Sequence, residues 1–333
     1  MLILMKGIYV IMSNLLKKYN KAKSYCMSTG DILCHYIYLS KDKISWKIML
    51  RYLSGGKNLA EAVHSARFYK KLRRRYNKNL EGQQDISDSD WKNTPMPKII
   101  WWCWLQGENQ IPELPLICLH SLKKNLPNYQ IKIITLGNLK DYITLPQVII
   151  NKYKAKWISG ALFSDIIRLS LLANYGGVWI DSTVYCTGNK LVREIEKEDM
   201  FMYQNLLSSN NNVIKMSSWL IATKKDNPYI VEASKILIDY CKNSKYIEDY
   251  FVCHLILTML ADKYSQIWNE MDIYNNTDSH MMQLMLNCKF SPKIYERILS
   301  NASFHKLNRH IEFKQGDTFY NHLKAEDSLC AKK

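Results

Sequence analysis

SDIIRLSLLANYGGVWIDST, running from Ser164 to Thr183, sets two opposite charges inside an apolar helix. It then turns that helix, through two glycines, into a short strand that ends on an acid. Asp165 and Arg168 stand three residues apart and so share one helix face. Their neighbours Ala161, Leu162, Phe163, Ile166, Ile167, Leu169, Leu171 and Leu172 are apolar. A buried ion pair costs more than it returns unless its geometry is very good. Such a pair either bridges itself for structural reasons or faces a polar ligand. The helix reads from Ser159 to Asn174, Tyr175-Gly176-Gly177 closes it, and Val178-Trp179-Ile180 has the β-forming composition of a buried strand. In open α/β sheets ligands bind outside the carboxyl ends of the strands, and Asp181 stands at such an end. A carboxylate there can accept from a ribose or sugar hydroxyl. It can also help hold a divalent cation that neutralises a diphosphate leaving group.

Working outward, Lys98 to Trp104 is a short apolar run that predicts an opening buried strand. Pro112–Asn125 reads as helix, Gln130–Thr135 as a second strand and Gln147–Trp157 as helix, while the chain from Asn227 onward reads chiefly as helices and loops. Alternating strands and helices predict an α/β fold with a mainly parallel, Rossmann-type sheet flanked by helices. Upstream, EGQQDISDSDWKNTPMP, residues 81–97, is polar, acidic and closed by two prolines, the composition of a linker or surface loop. Four regions result: a basic helical part at 1–80, the linker at 81–97, an α/β core at 98–225, and a mostly helical C-terminal part at 226–333.

Charge is distributed very unevenly. Of the chain's net +16, residues 1–80 contribute +14, from 17 Lys and Arg against 3 Asp and Glu. Between Lys57 and Asn79, Leu59, Val63, Ala66, Tyr69, Leu72 and Tyr76 recur at helical spacing. Arg67, Lys70, Lys71, Arg73, Arg74 and Lys78 occupy the remaining face. That face is either a solvated surface or a contact for an anionic membrane. A basic arm can also bind nucleic acid, but the body carries no nucleic-acid-binding motif and no nucleic-acid partner is expected. Met1 to Met12 is too short to span a bilayer and lacks a small-residue cleavage site; Met12 is an alternative start. Nine cysteines without a C-x-x-C pair argue against a zinc site or a disulfide framework and suit a cytoplasmic chain.

The block from Ser164-Asp165 through Arg168 to Tyr175-Gly176-Gly177 and Asp181-Ser182-Thr183 resembles the donor site of glycosyltransferases with a D-x-D motif. The family resembled is that of the capsular polysaccharide synthesis proteins, akin to retaining mannosyl- and galactosyltransferases of GT-A fold. Lys98-Ile-Ile-Trp-Trp-Cys-Trp-Leu-Gln-Gly107, Trp219-Leu-Ile-Ala-Thr-Lys-Lys, Asp249-Tyr250-Phe251 and Phe304-His305-Lys306-Leu307 follow in the family's order, over roughly residues 95–310. The resemblance implies transfer of a hexose from a nucleoside diphosphate sugar, a UDP-sugar, to a surface or capsular glycan precursor, with retention. It implies Asp165 and Arg168 on the donor's ribose, hydroxyls or phosphates, Trp104 stacked on the base, and Gln106, Gly107, Gly177, Ser182 and Thr183 around the donor. Asp181 would be the first acid of the motif and, with Asp249, catalytic. Asp181 and His305 would form the metal shell for Mn or Mg.

One position departs from the family's pattern: Thr183 stands where the second acid, usually the direct metal ligand, is expected. A hydroxyl is a far poorer ligand for a hard dication than a carboxylate. Three outcomes follow. Asp181, His305 and the diphosphate can still hold the metal; Arg168 or a lysine can replace it; or the protein is an inactive, glycan-binding relative. The first is the expectation taken forward. The implied acceptor is polyprenyl-diphosphate-linked, and the basic first 80 residues would hold the enzyme peripherally at the inner face of the plasma membrane.

Overall fold

Five strands form the central sheet: β1 (Ile99–Cys103), β2 (Gln130–Ile134), β3 (Gly177–Ile180), β5 (Met200–Gln204) and β6 (Met216–Thr223), in the order β2-β1-β3-β6-β5. Two more, β4 (Val184–Cys186) and β7 (Phe304–Lys306), pair separately. The computed structural model describes residues 2–52, 56–81, 90–206 and 214–330. Residues 82–89 of the expected linker, and the side chains of the apolar tip Met1 to Met12, lie outside the described residues.

β1 pairs in parallel with β2 on one side, Ile99 opposite Gln130, and with β3 on the other, Ile100 opposite Val178. β6 runs antiparallel to β3, and β5 antiparallel to β6. Four of the five strands therefore point the same way and β6 alone is reversed, which is the mainly parallel sheet expected. Side chains alternate across the sheet, as the two-residue period requires. Trp101, Cys103, Trp179 and Ile221 enter one core with the helices Gly160–Tyr175, Pro228–Asn243 and Val252–Lys263. Ile100, Trp102, Val178, Ile180 and Leu220 enter a second core, with Leu119 and Leu122 of the helix Glu113–Asn125. Burial on both faces explains why β1 and β3 read as unbroken apolar runs rather than alternating ones.

The helix Gly160–Tyr175 starts where Ser159 caps it, its Oγ accepting from the Leu162 amide at 3.1 Å. It ends because Gly176 (φ 66°) and Gly177 (φ 91°) take left-handed conformations, and a Cβ on Gly177 would lie 2.7 Å from the Ile99 carbonyl oxygen. The Trp101 indole fixes the turn by donating to the Gly176 carbonyl at 2.8 Å. Helix and strand are thus joined by a tight reversal that sets β3 directly against β1.

The basic region is not a free arm. Its helix Gly56–Arg75 buries Ala60, Phe68 and Leu72, followed by Tyr76, and Phe68 packs edge-on against Tyr240 at 5.8 Å. The buried face is thus centred on the spacing 60-68-72-76, and Leu59, expected inside, is exposed. Lys71 pairs with Glu248, Arg73 with Asp262 and Arg75 with Asp239, so part of the basic face is spent on the body's acids. Arg67, Lys70, Arg74 and Lys78 remain exposed. Residues 90–97 also lie on the body, with Trp91 and Met96 buried. Among the described residues no helix is long and apolar enough to cross a membrane.

Replacing Gly177 with alanine forces both a strained φ and a backbone collision, and is expected to cost about 2–4 kcal/mol in urea unfolding. Gly188→Ala, where an added Cβ meets nothing within 4 Å, should stay within about 0.5 kcal/mol of the parent.

Candidate functional site

From β1 the chain crosses to β2 on one side, whereas β3 lies on the other, so the crevice at the carboxyl ends of β1 and β3 is a topological switch point. A cleft of about 750 Å³ opens there, within the usual range for small-molecule sites. Trp104, Leu105 and Gln106 line it from the end of β1, and Asp181, Ser182 and Thr183 from the end of β3. Ser164, Asp165 and Arg168 reach it from the helix, and Ser218 and Trp219 from β6.

Arg168 organises these groups. It is 3 % exposed, and its guanidinium donates to Asp165 Oδ1 at 2.7 Å, to Asp181 Oδ1 at 2.7 Å and to Ser218 Oγ. Its plane lies over the Trp179 ring, 4.9 Å from the centroid. The Trp179 indole donates to Asp181 Oδ1 at 2.9 Å. The Lys306 ammonium donates to Asp181 Oδ2 at 2.8 Å and to Thr183 Oγ1 at 2.9 Å. The four buried or half-buried charges balance: two acids, two cations. Burial pushes the Asp165 carboxyl up to about 6, against the pull of Arg168. Burial alone would raise Asp181 too, but Lys306 and Arg168 outweigh it and hold that carboxyl at about 2.

Lys306 owes its place to the second sheet. β4 and β7 pair antiparallel with Val184 opposite Lys306, and the Leu307 amide donates to the Thr183 carbonyl at 2.8 Å. The lysine's backbone is therefore pinned against the acidic motif. Three residues on, Arg309 lays its guanidinium over the Trp104 ring, 5.3 Å from the centroid. Trp104 itself is 8 % exposed and donates from its indole to the Gln110 carbonyl at 2.9 Å. A planar ligand entering that corner meets the indole or the guanidinium resting on it.

Several expected residues fall elsewhere. Asp249 lies off the cleft: its Oδ2 accepts from Ser65 Oγ at 2.8 Å and its Oδ1 from the Phe251 amide at 2.7 Å. It braces the basic helix against the start of the next one, so a catalytic role does not fit. Its neighbours Tyr250 and Phe251 line the cleft instead, both exposed. His305 is wholly buried, with Nε2 3.2 Å from Thr187 Oγ1, because adjacent strand residues point to opposite faces. Burial lowers it to about 4, and it does not meet Asp181. Gly177 begins β3, at the end of the strand away from Asp181; its role is the close approach to β1 rather than donor contact. Gly107 shapes the loop beside Gln106, with a φ of 103°, without lining the cleft.

A divalent cation does not fit the groups present. Both oxygens of Asp181 already accept from cations, Thr183 offers a hydroxyl held by the same lysine, and His305 faces the core. Among the described residues no three His, Cys, Asp or Glu side chains gather as a metal-binding group.

A family model described as "Capsular polysaccharide synthesis protein" matches residues 53–323. Among solved structures, the "PaToxG Glycosyltransferase" is 15% identical with a TM-score of 0.35, covering 62% of this chain and 84% of that one. A glycosyltransferase "involved in the glycosylation of the major capsid of PBCV-1" is 10% identical with a TM-score of 0.34, covering 69% and 98%. No match is found among curated proteins. The class so defined is that of proteins of capsular polysaccharide synthesis. The chain belongs to the capsular polysaccharide synthesis protein family.

Because its two cations hold Asp181 below its ordinary 3.8, at about 2, the ionised carboxylate stabilises the fold fully above pH 4 and ceases to do so as pH falls through 2. Urea unfolding of the parent and Asp181→Asn at several pH values is expected to show a pH-dependent difference of roughly 2 kcal/mol that disappears over that window.

Proposed function

We infer that the chain transfers a hexose from a nucleoside diphosphate sugar, a UDP-sugar by its family resemblance, to the precursor of a capsular or surface polysaccharide. The observation that carries the reading is the convergence, at the β1/β3 switch point, of Asp165, Arg168 and Asp181 with two cations from the far end of the chain, Lys306 and Arg309. A diphosphate brings negative charge into such a cleft, and departure of the nucleoside diphosphate builds more of it on the β-phosphate. Lys306 has three protons and places two, on Asp181 and Thr183, leaving one for a ligand oxygen. Arg309 lies beside the aromatic corner at Trp104, which suits a base next to its phosphates. Asp165 and Asp181, held in place by Arg168, offer acceptors to ribose or hexose hydroxyls. Tyr250 and Phe251 at the rim suit the apolar face of a sugar ring.

Retention follows from front-side displacement. The bond from the sugar's anomeric carbon to the β-phosphate oxygen breaks while the acceptor hydroxyl oxygen bonds to that carbon. The hydroxyl proton passes to the departing phosphate oxygen, so no protein base is needed. The exposed Arg67, Lys70, Arg74 and Lys78 would meet anionic lipid. That contact would hold the enzyme at the cytoplasmic face of the membrane, within reach of a polyprenyl-diphosphate-linked acceptor.

A thermal-shift screen against sugar nucleotides tests the reading. The matching donor, at about a hundred times its Kd, should raise the melting temperature by roughly 3 °C or more. Asp181→Ala should abolish that shift and lower kcat/KM at least about a hundredfold; an unaltered kcat/KM in this variant would overturn the site assignment.

A further inference from the structure

We propose that Lys306 takes the place of the divalent cation, so that donor binding and transfer proceed without metal. The inference rests on the donor-site reading above and deepens it. In a D-x-D site two carboxylates carry two negative charges and a dication balances them. Here Asp181 carries one, Thr183 carries none, and the ammonium of Lys306 supplies one positive charge at hydrogen-bond distance from both, 2.8 and 2.9 Å. Loss of an acid and replacement of a dication by a monocation leave the local charge unchanged. A dication added to this group would face Lys306 and Arg168 on the single carboxylate, with a hydroxyl as its only other protein ligand.

The lysine is placed by main-chain geometry rather than by a mobile loop. β7 pairs with β4 so that Lys306 stands opposite Val184, and the Leu307–Thr183 backbone bond of 2.8 Å closes the register beside it. The side chain is 21% exposed, open enough to donate its remaining proton to a phosphate oxygen and enclosed enough for that bond to count. Arg309 adds a second cation three residues on, over Trp104. Arg168 cannot fill this role, because its contacts to Asp165, Asp181 and Ser218 commit it to the protein.

The test uses the full chain and a panel of nucleoside diphosphates and their sugars. Calorimetric affinity and donor turnover are measured in EDTA and again with excess MnCl2. The parent should bind its best ligand with a Kd that changes less than about twofold between the two buffers, and should turn over in both. Lys306→Met should weaken binding about ten- to a hundredfold in EDTA, and Lys306→Arg should restore most of it. Binding that requires Mn in the parent would overturn the inference while leaving the sugar-nucleotide reading intact, and that comparison needs no variant. Equal affinity of the folded Lys306→Met protein in EDTA would overturn it as well. Failure of every ligand to bind in either buffer would sink the sugar-nucleotide reading and this inference with it.

Discussion

The guanidinium of Arg168 is the group on which the rest of the site depends. It ties a helix residue, the acid at the end of β3 and a serine of β6 into one body while sitting almost completely out of water. A buried cation survives only if its partners satisfy it, and those partners are anions that would repel each other without it. Arg168 therefore solves two problems at once: it keeps Asp165 and Asp181 close together, and it leaves them pointing where a ligand can reach them. Stacking over Trp179 fixes its plane, and with it the orientation of both carboxylates. The tight Gly176-Gly177 reversal is what brings helix and strand near enough for one side chain to bridge them.

Much of this was legible in the sequence. Local signals carried it: the apolar helix with an ion pair three residues apart, the glycine stop, and the short β-branched and aromatic runs that became β1, β2 and β3. The charged triad of Asp165, Arg168 and Asp181 lies within one stretch of chain, so its geometry follows from helix and strand periodicity. Strands β4, β5, β6 and β7 were not read as strands. Two of them are only three residues long, and pairing across more than a hundred residues leaves no local pattern.

Two of the misplaced site residues share one cause. Matching a segment to a family locates the segment but not the side each residue faces. In Phe304-His305-Lys306 the step of one residue turns the histidine into the core and the lysine into the cleft. In Asp249-Tyr250-Phe251 it turns the acid toward Ser65 and the aromatics toward the opening. The basic N-terminal region divides similarly. Periodicity identified a helix with one wet face, and the body's acids then claimed Lys71, Arg73 and Arg75, which no pattern within residues 1–80 could announce.

The pairing of β4 with β7 has a consequence for how the molecule is made. Every strand of the central sheet is present in the chain by Thr223, whereas Lys306 and Arg309 arrive some eighty residues later. A nascent chain can thus complete its sheet, with Arg168 in place, and still lack the other two cations of its cleft. Contacts that span so much sequence close late, after the loop entropy between them has been paid. During synthesis Arg168 alone balances the two acids of the pocket, and the charge pattern is complete only when the last segment of the polypeptide docks.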